Sequence, residues 1–469
     1  MIPYMTARSI RAWLRRTATI ASLAGAAAGA LPLASCSPDE FLTITDPDII
    51  NPEDVQSAAG ANAVRLGAIS RFKMATSGAP ATGADTSSLF LLGGLFADEW
   101  INGDSFIARQ EIDQRIITPE NTFLTTANRI LHRARLNAEF AVDLLAQWVP
   151  TAPAWQVGEM HLIQAYVVNI MAEHYCDGLV FSRVVEGREE YGSPITVVEA
   201  FERALEHANE GLALTFGTDT ASLRVQRSLQ VIKGRILLNL NRPAEAAAAV
   251  AGVPANFAHN NAHSATTSIN GVWQYNNNAR RYSVGNAEGG NGTNFATAGD
   301  PRLPVCVGGD AACRAIGVTQ TVRDDLTQPL HVQRKWPTSD SPVAIITGVE
   351  AQMIRAEALL RAGNFAGALD TLNAARATVT GLTPLTDPGT DSARVSLLFR
   401  ERAFWLFGIG TRVGDLRRLI RQYGRPQNTV FPTGTWHKGG NYGSDVNMPV
   451  PQAELNNPNV EQACLNRNA

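Results

Sequence analysis

The stretch Val349–Tyr423 constrains the fold of this chain more than any other. In VEAQMIRAEALLRAGNFAGALDTLNAAR (Val349–Arg376), Ala351, Ile354, Ala358, Leu359 and Ala362 recur at helical spacing. Gly363-Asn364 interrupts, and Ala368, Leu369 and Leu372 resume the pattern. Ala358 and Ala368 are small enough for two antiparallel helices to approach closely across that turn. After a Pro/Gly/Thr/Asp loop over 380–392, VSLLFRERAFWLFGIGTRVGDLRRLIRQYG predicts one long third helix. Its dense apolar residues place it in the core, where Glu401, Arg402, Arg412, Asp415 and Arg417 need partners.

A second hairpin with the same spacing precedes it. Ser222–Leu240 and Pro243–Val250 read as helices, and Gly234, Asn241 and Ala246 stand 122 residues before Ala356, Gly363 and Ala368. Two hairpins in register imply a tetratricopeptide-like repeat, in which each unit buries its apolar face against the next. Further helices are expected over Val55–Met74, started by Asn51-Pro52-Glu53-Asp54, and over Leu89–Trp100, Asn121–Val149, Trp155–Tyr175 and Pro194–Leu214. The fold class is therefore mainly α, with long irregular loops and small β-hairpins. Residues 51–469 form one helical domain with a loop-rich insertion at about 254–342.

The front of the chain carries an export signal. Arg8, Arg11, Arg15 and Arg16 precede an apolar run, Ala18–Leu33, short for a bilayer span. Leu33-Ala34-Ser35-Cys36 resembles the lipobox of bacterial lipoproteins. On that reading 1–35 is a signal peptide, Cys36 carries the lipid and 36–50 is a tether. The alternative is an ordinary secretory leader with Cys36 incidental. Without the leader's four arginines, 40 basic residues fall to 36 against 43 acidic, a net charge near −7 that argues against nucleic acid as a partner.

Export implies an oxidising compartment. Cys176, Cys306, Cys313 and Cys464 allow three pairings. The loop CVGGDAAC favours Cys306–Cys313, because two glycines let it turn back, and parity leaves Cys176 with Cys464. Zinc is the competing reading, but six intervening residues and no neighbouring histidine fit it poorly.

No catalytic constellation emerges, and neither a metal nor a cofactor is expected. His259 and His263 lie in a loop without a helical glutamate beside them. Glu173-His174 with Asp177 reads as a polar helix end. Asn286–Gly292 is glycine-rich but lacks the lysine of a phosphate cradle. Glu189-Glu190 and Asp324-Asp325 are adjacent acids with no visible partner across a cleft. The charges of the Glu401–Arg417 segment read as an internal ion network. Binding fits better, because aromatic rings stack on the C–H faces of sugars while Asn, Asp and Arg bond hydroxyls. The candidate ligand residues are Trp273, Tyr275, Tyr282, Trp336 and Trp436.

Several motifs resemble one family. Ala356-Glu357-Ala358-Leu359-Leu360 with Asn373 and Arg376, Glu401-Arg402, Gly410-x-Arg412, Asp415-Leu416-Arg417-Arg418, Asp300-Pro301-Arg302 and the closing Pro451…Asn457-Pro458-Asn459…Gln462 are similar to SusD/RagB sequences. Trp405 and Ile409 stand where that family usually has glutamates. The resemblance implies a surface lipoprotein of the outer membrane that binds a nutrient, an oligosaccharide or a peptide. It also implies a SusC-like TonB-dependent barrel as partner, and no enzymatic activity. The alternative is a helical-repeat scaffold that binds peptide or protein and no small ligand.

Overall fold

The computed structural model describes residues 55–80, 88–185 and 188–469. The expected leader, Cys36, the tether and the Asn51–Asp54 helix start lie outside them. Helix α1 (Ala58–Ala75), capped by the Ser57 side chain, packs on α4 (Thr122–Trp148). Between them come α2 (Leu89–Phe96) and α3 (Ile107–Gln114). The central element is α5 (Ala154–His174), apolar around most of its circumference and buried from Gly158 to His174 apart from His161. It touches α4, α6 (Val197–Leu212) and α7 (Thr220–Asn239). Among the described residues no helix is long and apolar enough to cross a membrane.

The two matched hairpins exist and share their turn geometry. Helix α7 with α8 (Pro243–Ala249) turns at Asn241, and α9 (Gly348–Arg361) with α10 (Phe365–Arg376) turns at Gly363. Both turn residues are left-handed, with φ of 60° and 76°, so asparagine and glycine at this register have a conformational cause. The hairpins meet where α8 packs on α9. Gly234 is needed there, since a Cβ would lie 2.6 Å from Val250 Cγ1.

The expected long third helix is two helices, α11 (Asp391–Trp405) and α12 (Arg412–Arg421). Gly408 and Gly410, with φ of 74° and 73°, turn the chain inward between them. Gly408 N donates to Glu99 Oε1 at 2.9 Å, and Gly410 lies so close to Phe90 that a Cβ would sit 2.6 Å from its ring. The expected helix over 89–100 likewise stops at Phe96. Asp98 is claimed by Arg412 and Thr293, and Trp100 enters a strand.

Among the described residues every strand pairs with one other, and Arg183–Val185 pairs antiparallel with its sequence neighbour Arg188–Glu190. The others stitch the 254–342 insertion to distant chain: Gly78–Pro80 to Ser268–Asn270, Trp100–Asn102 to Tyr282–Val284, and Ala258–Asn261 to Val343–Thr347. Within the insertion, Val305–Val307 pairs with His331–Gln333. Disulfides join Cys306 to Cys313 and Cys176 to Cys464.

Candidate ligand-binding surface

A platform of three loops forms where Asn102-Gly103-Asp104 meets the insertion. Gly103 N donates to Arg281 O at 2.7 Å, Asp325 N donates to Gly103 O at 2.8 Å, and Asp324 N donates to Arg280 O at 3.2 Å. Position 103 must be glycine here, because a Cβ would lie 2.9 Å from Arg280 O and from Arg323 Cβ. Lys438 locks the platform from the C-terminal loop, with Nζ 2.7 Å from Asp325 and also bonded to Asp104 O.

Beneath it the aromatic residues form a packed layer. Tyr275 and Tyr282 lie with ring centroids 5.5 Å apart, and the Arg109 guanidinium sits 5.1 Å and 5.9 Å from them and 4.2 Å from Phe123. Arg109 also pairs with buried Asp104. Trp436 Nε1 donates to Asp113 at 2.8 Å. Burial pushes the Asp113 carboxyl well above its usual range, with Glu288 as the next cause. His437, 2.9 Å from Asn102 O, is held down to about 4, chiefly by burial. Trp336 packs on Gly408 with Lys335 Nζ 4.6 Å from its ring.

The five candidate aromatics differ in exposure. Tyr275, Tyr282, Trp336 and Trp436 are buried and turn their rings to protein, whereas Trp273 is only half-buried. The cause is the shortage of helix here: with little regular structure to bury, the loops use aromatic rings as their core.

The exposed chemistry of the platform comes from Asp324, singled out in sequence only as one of two adjacent acids, and from Phe106, Arg281 and Leu326, which the sequence did not mark. Phe106 is 46% exposed, and the Arg281 guanidinium lies 5.2 Å from its ring centroid. Asp324 Oδ2 lies 3.9 Å from Arg281 Nε. Leu326, 77% exposed, adopts φ of 64°, a left-handed conformation rare for a leucine. An exposed ring flanked by a guanidinium and a carboxylate offers stacking and hydrogen bonding together. The pairs Arg280-Arg281 and Asp324-Asp325 were visible in sequence, but nothing there joined them to Phe106.

The remaining singled-out groups are structural. Glu401 pairs with Arg302 at 2.6 Å and Arg376 at 2.7 Å, Arg402 with Asp415 at 2.8 Å, and Arg412 with Asp98 at 2.7 Å. Arg417 donates to the carbonyls of Ala172, Glu173 and Tyr175. His259 bonds Ser228 and His263 bonds Ser77, so these two histidines have separate partners. Glu173 is held by Arg235.

No protein-family model and no curated protein matches the chain. Solved structures do. A SusD-like carbohydrate binding protein from Bacteroides fragilis aligns with TM-score 0.64 and 14% identity, covering 87% of this chain and 99% of that one. A SusD superfamily protein from Parabacteroides distasonis gives 0.62 and 13%, covering 88% and 98%. A SusD-like carbohydrate binding protein from Bacteroides vulgatus gives 0.55 and 12%, covering 77% and 83%. At these identities the alignments show the fold: the chain is mainly α and shares the fold of these SusD-like structures.

Proposed function

We propose that this chain is a non-enzymatic, lipid-anchored outer-membrane protein that binds an oligosaccharide and passes it to a SusC-like TonB-dependent transporter. Residues 1–35 act as the leader, Cys36 carries the lipid and 36–50 is the tether. The observation that carries the reading is the platform, an exposed Phe106 beside Arg281 and Asp324 on a SusD-type frame. Half-buried Trp273 is the one early candidate that keeps ring surface for a ligand. Exposed Ile107 and Leu326 favour a second reading, a peptide ligand on the same platform.

A binding screen of oligosaccharides and peptides against the chain without its leader tests both. Glycan binding that Phe106→Ala and Arg281→Ala weaken in a folded protein supports the first reading, and selective peptide binding supports the second. Binding of neither, or binding indifferent to both substitutions, removes the platform as the site. Co-purification of the native lipoprotein with a TonB-dependent barrel tests the partner.

A further inference from the structure

Away from the platform, a polar depression of about 510 Å³ opens between α4, α5 and α6, and His161, His207 and Glu210 line it. His161 comes from α5, while His207 and Glu210 stand three residues apart on one face of α6. Their ligand atoms all lie within 4.8 Å of one another, and among the described residues no other group of three such side chains does so. Glu210 Oε2 is 3.3 Å from Nδ1 of His161 and 3.3 Å from Nδ1 of His207.

We propose that His161, His207 and Glu210 bind a divalent transition-metal ion of the zinc class, clamping α5 to α6. A tetrahedron with metal–ligand bonds of about 2.0–2.1 Å has edges of about 3.3–3.4 Å, which the two separations from Glu210 to the imidazoles match. A plain hydrogen-bonded cluster accounts for less. His207 Nδ1 bonds Glu210, but His161 Nδ1, at the same distance from the same oxygen, makes no hydrogen bond of adequate geometry. Two imidazoles and one carboxylate suit zinc, nickel or copper rather than calcium or magnesium, which prefer oxygen ligands. The depression leaves a fourth position for water.

The test uses the full mature chain without a polyhistidine tag, titrated with Zn2+ by calorimetry and with Co2+ by absorption. One ion per chain is expected, with intense visible Co2+ bands of tetrahedral geometry and a Tm that rises with Zn2+ concentration. His207→Ala should weaken Zn2+ binding by more than the roughly 10–100-fold that loss of an outer-shell partner costs. Glu210→Gln, at a half-exposed side chain, keeps the volume and should weaken binding without unfolding the protein. No bound ion, or Zn2+ affinity equal in wild type and Glu210→Gln, overturns the proposal and leaves a hydrogen-bonded cluster only.

Discussion

The helical frame and the loop platform bury polar groups in opposite ways. In the frame the helices satisfy most of their own backbone, so buried charges pair chiefly with one another, although Arg417 donates to three carbonyls at the end of α5. Arg235 holds Glu173 through two bonds of 2.8 and 2.5 Å, and Arg418 bridges Glu357 at 3.0 Å and Asp415 at 2.8 Å. In the platform, strands of at most five residues leave backbone groups over, and side-chain amides take them. Asn276 donates to the carbonyls of Tyr282 and His331 and accepts from Gln333 N. Gln333 in turn bonds Trp336 O, Trp336 N and Asn277. The frame is thus vulnerable to loss of a charge, the platform to loss of an amide.

The two disulfides should separate the regions most sharply. Cys176–Cys464 closes a separation of 288 residues and ties the end of α5 to the C-terminal tail, whereas Cys306–Cys313 closes only 7 within the insertion. Loop-closure entropy predicts about 5–6 kcal/mol for the first and about 2–3 for the second. Alanine pairs at each, compared by thermal unfolding under oxidising conditions, should show the larger Tm loss for Cys176→Ala/Cys464→Ala. The reverse order would mean that the insertion, not the frame, limits stability.

Arg235→Met should destabilise by about 3–5 kcal/mol, since it leaves Glu173 and Glu350 without their buried cation. The change in urea midpoint measures it, and a loss below about 1 kcal/mol would show the network to be dispensable. Asn276→Ala should cost about 1–3 kcal/mol for each backbone group it strands. Hydrogen exchange sharpens the contrast: protection should fall around Tyr282 and Gln333 and stay unchanged in α5.

Glu99 joins the regions, and its effect depends on pH. Burial raises its pKa from 4.5 to about 8, with Asp98 adding to the rise and Gly408 N, Arg412 and Lys335 opposing it. A raised folded pKa contributes stability in full below pH 4.5, and that contribution is lost as pH climbs to about 8. Wild-type Tm should therefore fall from pH 5 to pH 8 more steeply than that of Glu99→Gln. Equal slopes would mean that Glu99 is ionised in the fold. The smallest effect belongs to Leu326→Gly, where relief of left-handed strain and added chain entropy nearly cancel, within about 1 kcal/mol. Its Tm should barely move while peptide binding, if that is the ligand, weakens.

Much of the frame was legible in the sequence because helix periodicity and turn residues are local signals. The α9–α10 turn at Gly363 and the matching Asn241 turn could be read directly, and so could the need of Glu401, Arg402, Arg412, Asp415 and Arg417 for partners. The α11–α12 break was missed because apolar density around Gly408 and Gly410 resembles a continuous buried helix. What distinguishes it is Glu99, more than 300 residues away, which accepts the Gly408 amide. Which aromatics of the insertion face solvent was not legible, because composition cannot tell a ring that faces solvent from one that fills a loop core.

By itself the sequence determined the helical hairpins and their spacing, because both rest on neighbours within a turn, while export and the cysteine pairing stood in it as expectations. Only the tertiary structure decided which aromatic faces water, which cation meets which buried acid, and that His161 stands beside His207 and Glu210. Those depend on distances between residues tens to hundreds of positions apart, and such distances exist only once the chain has packed.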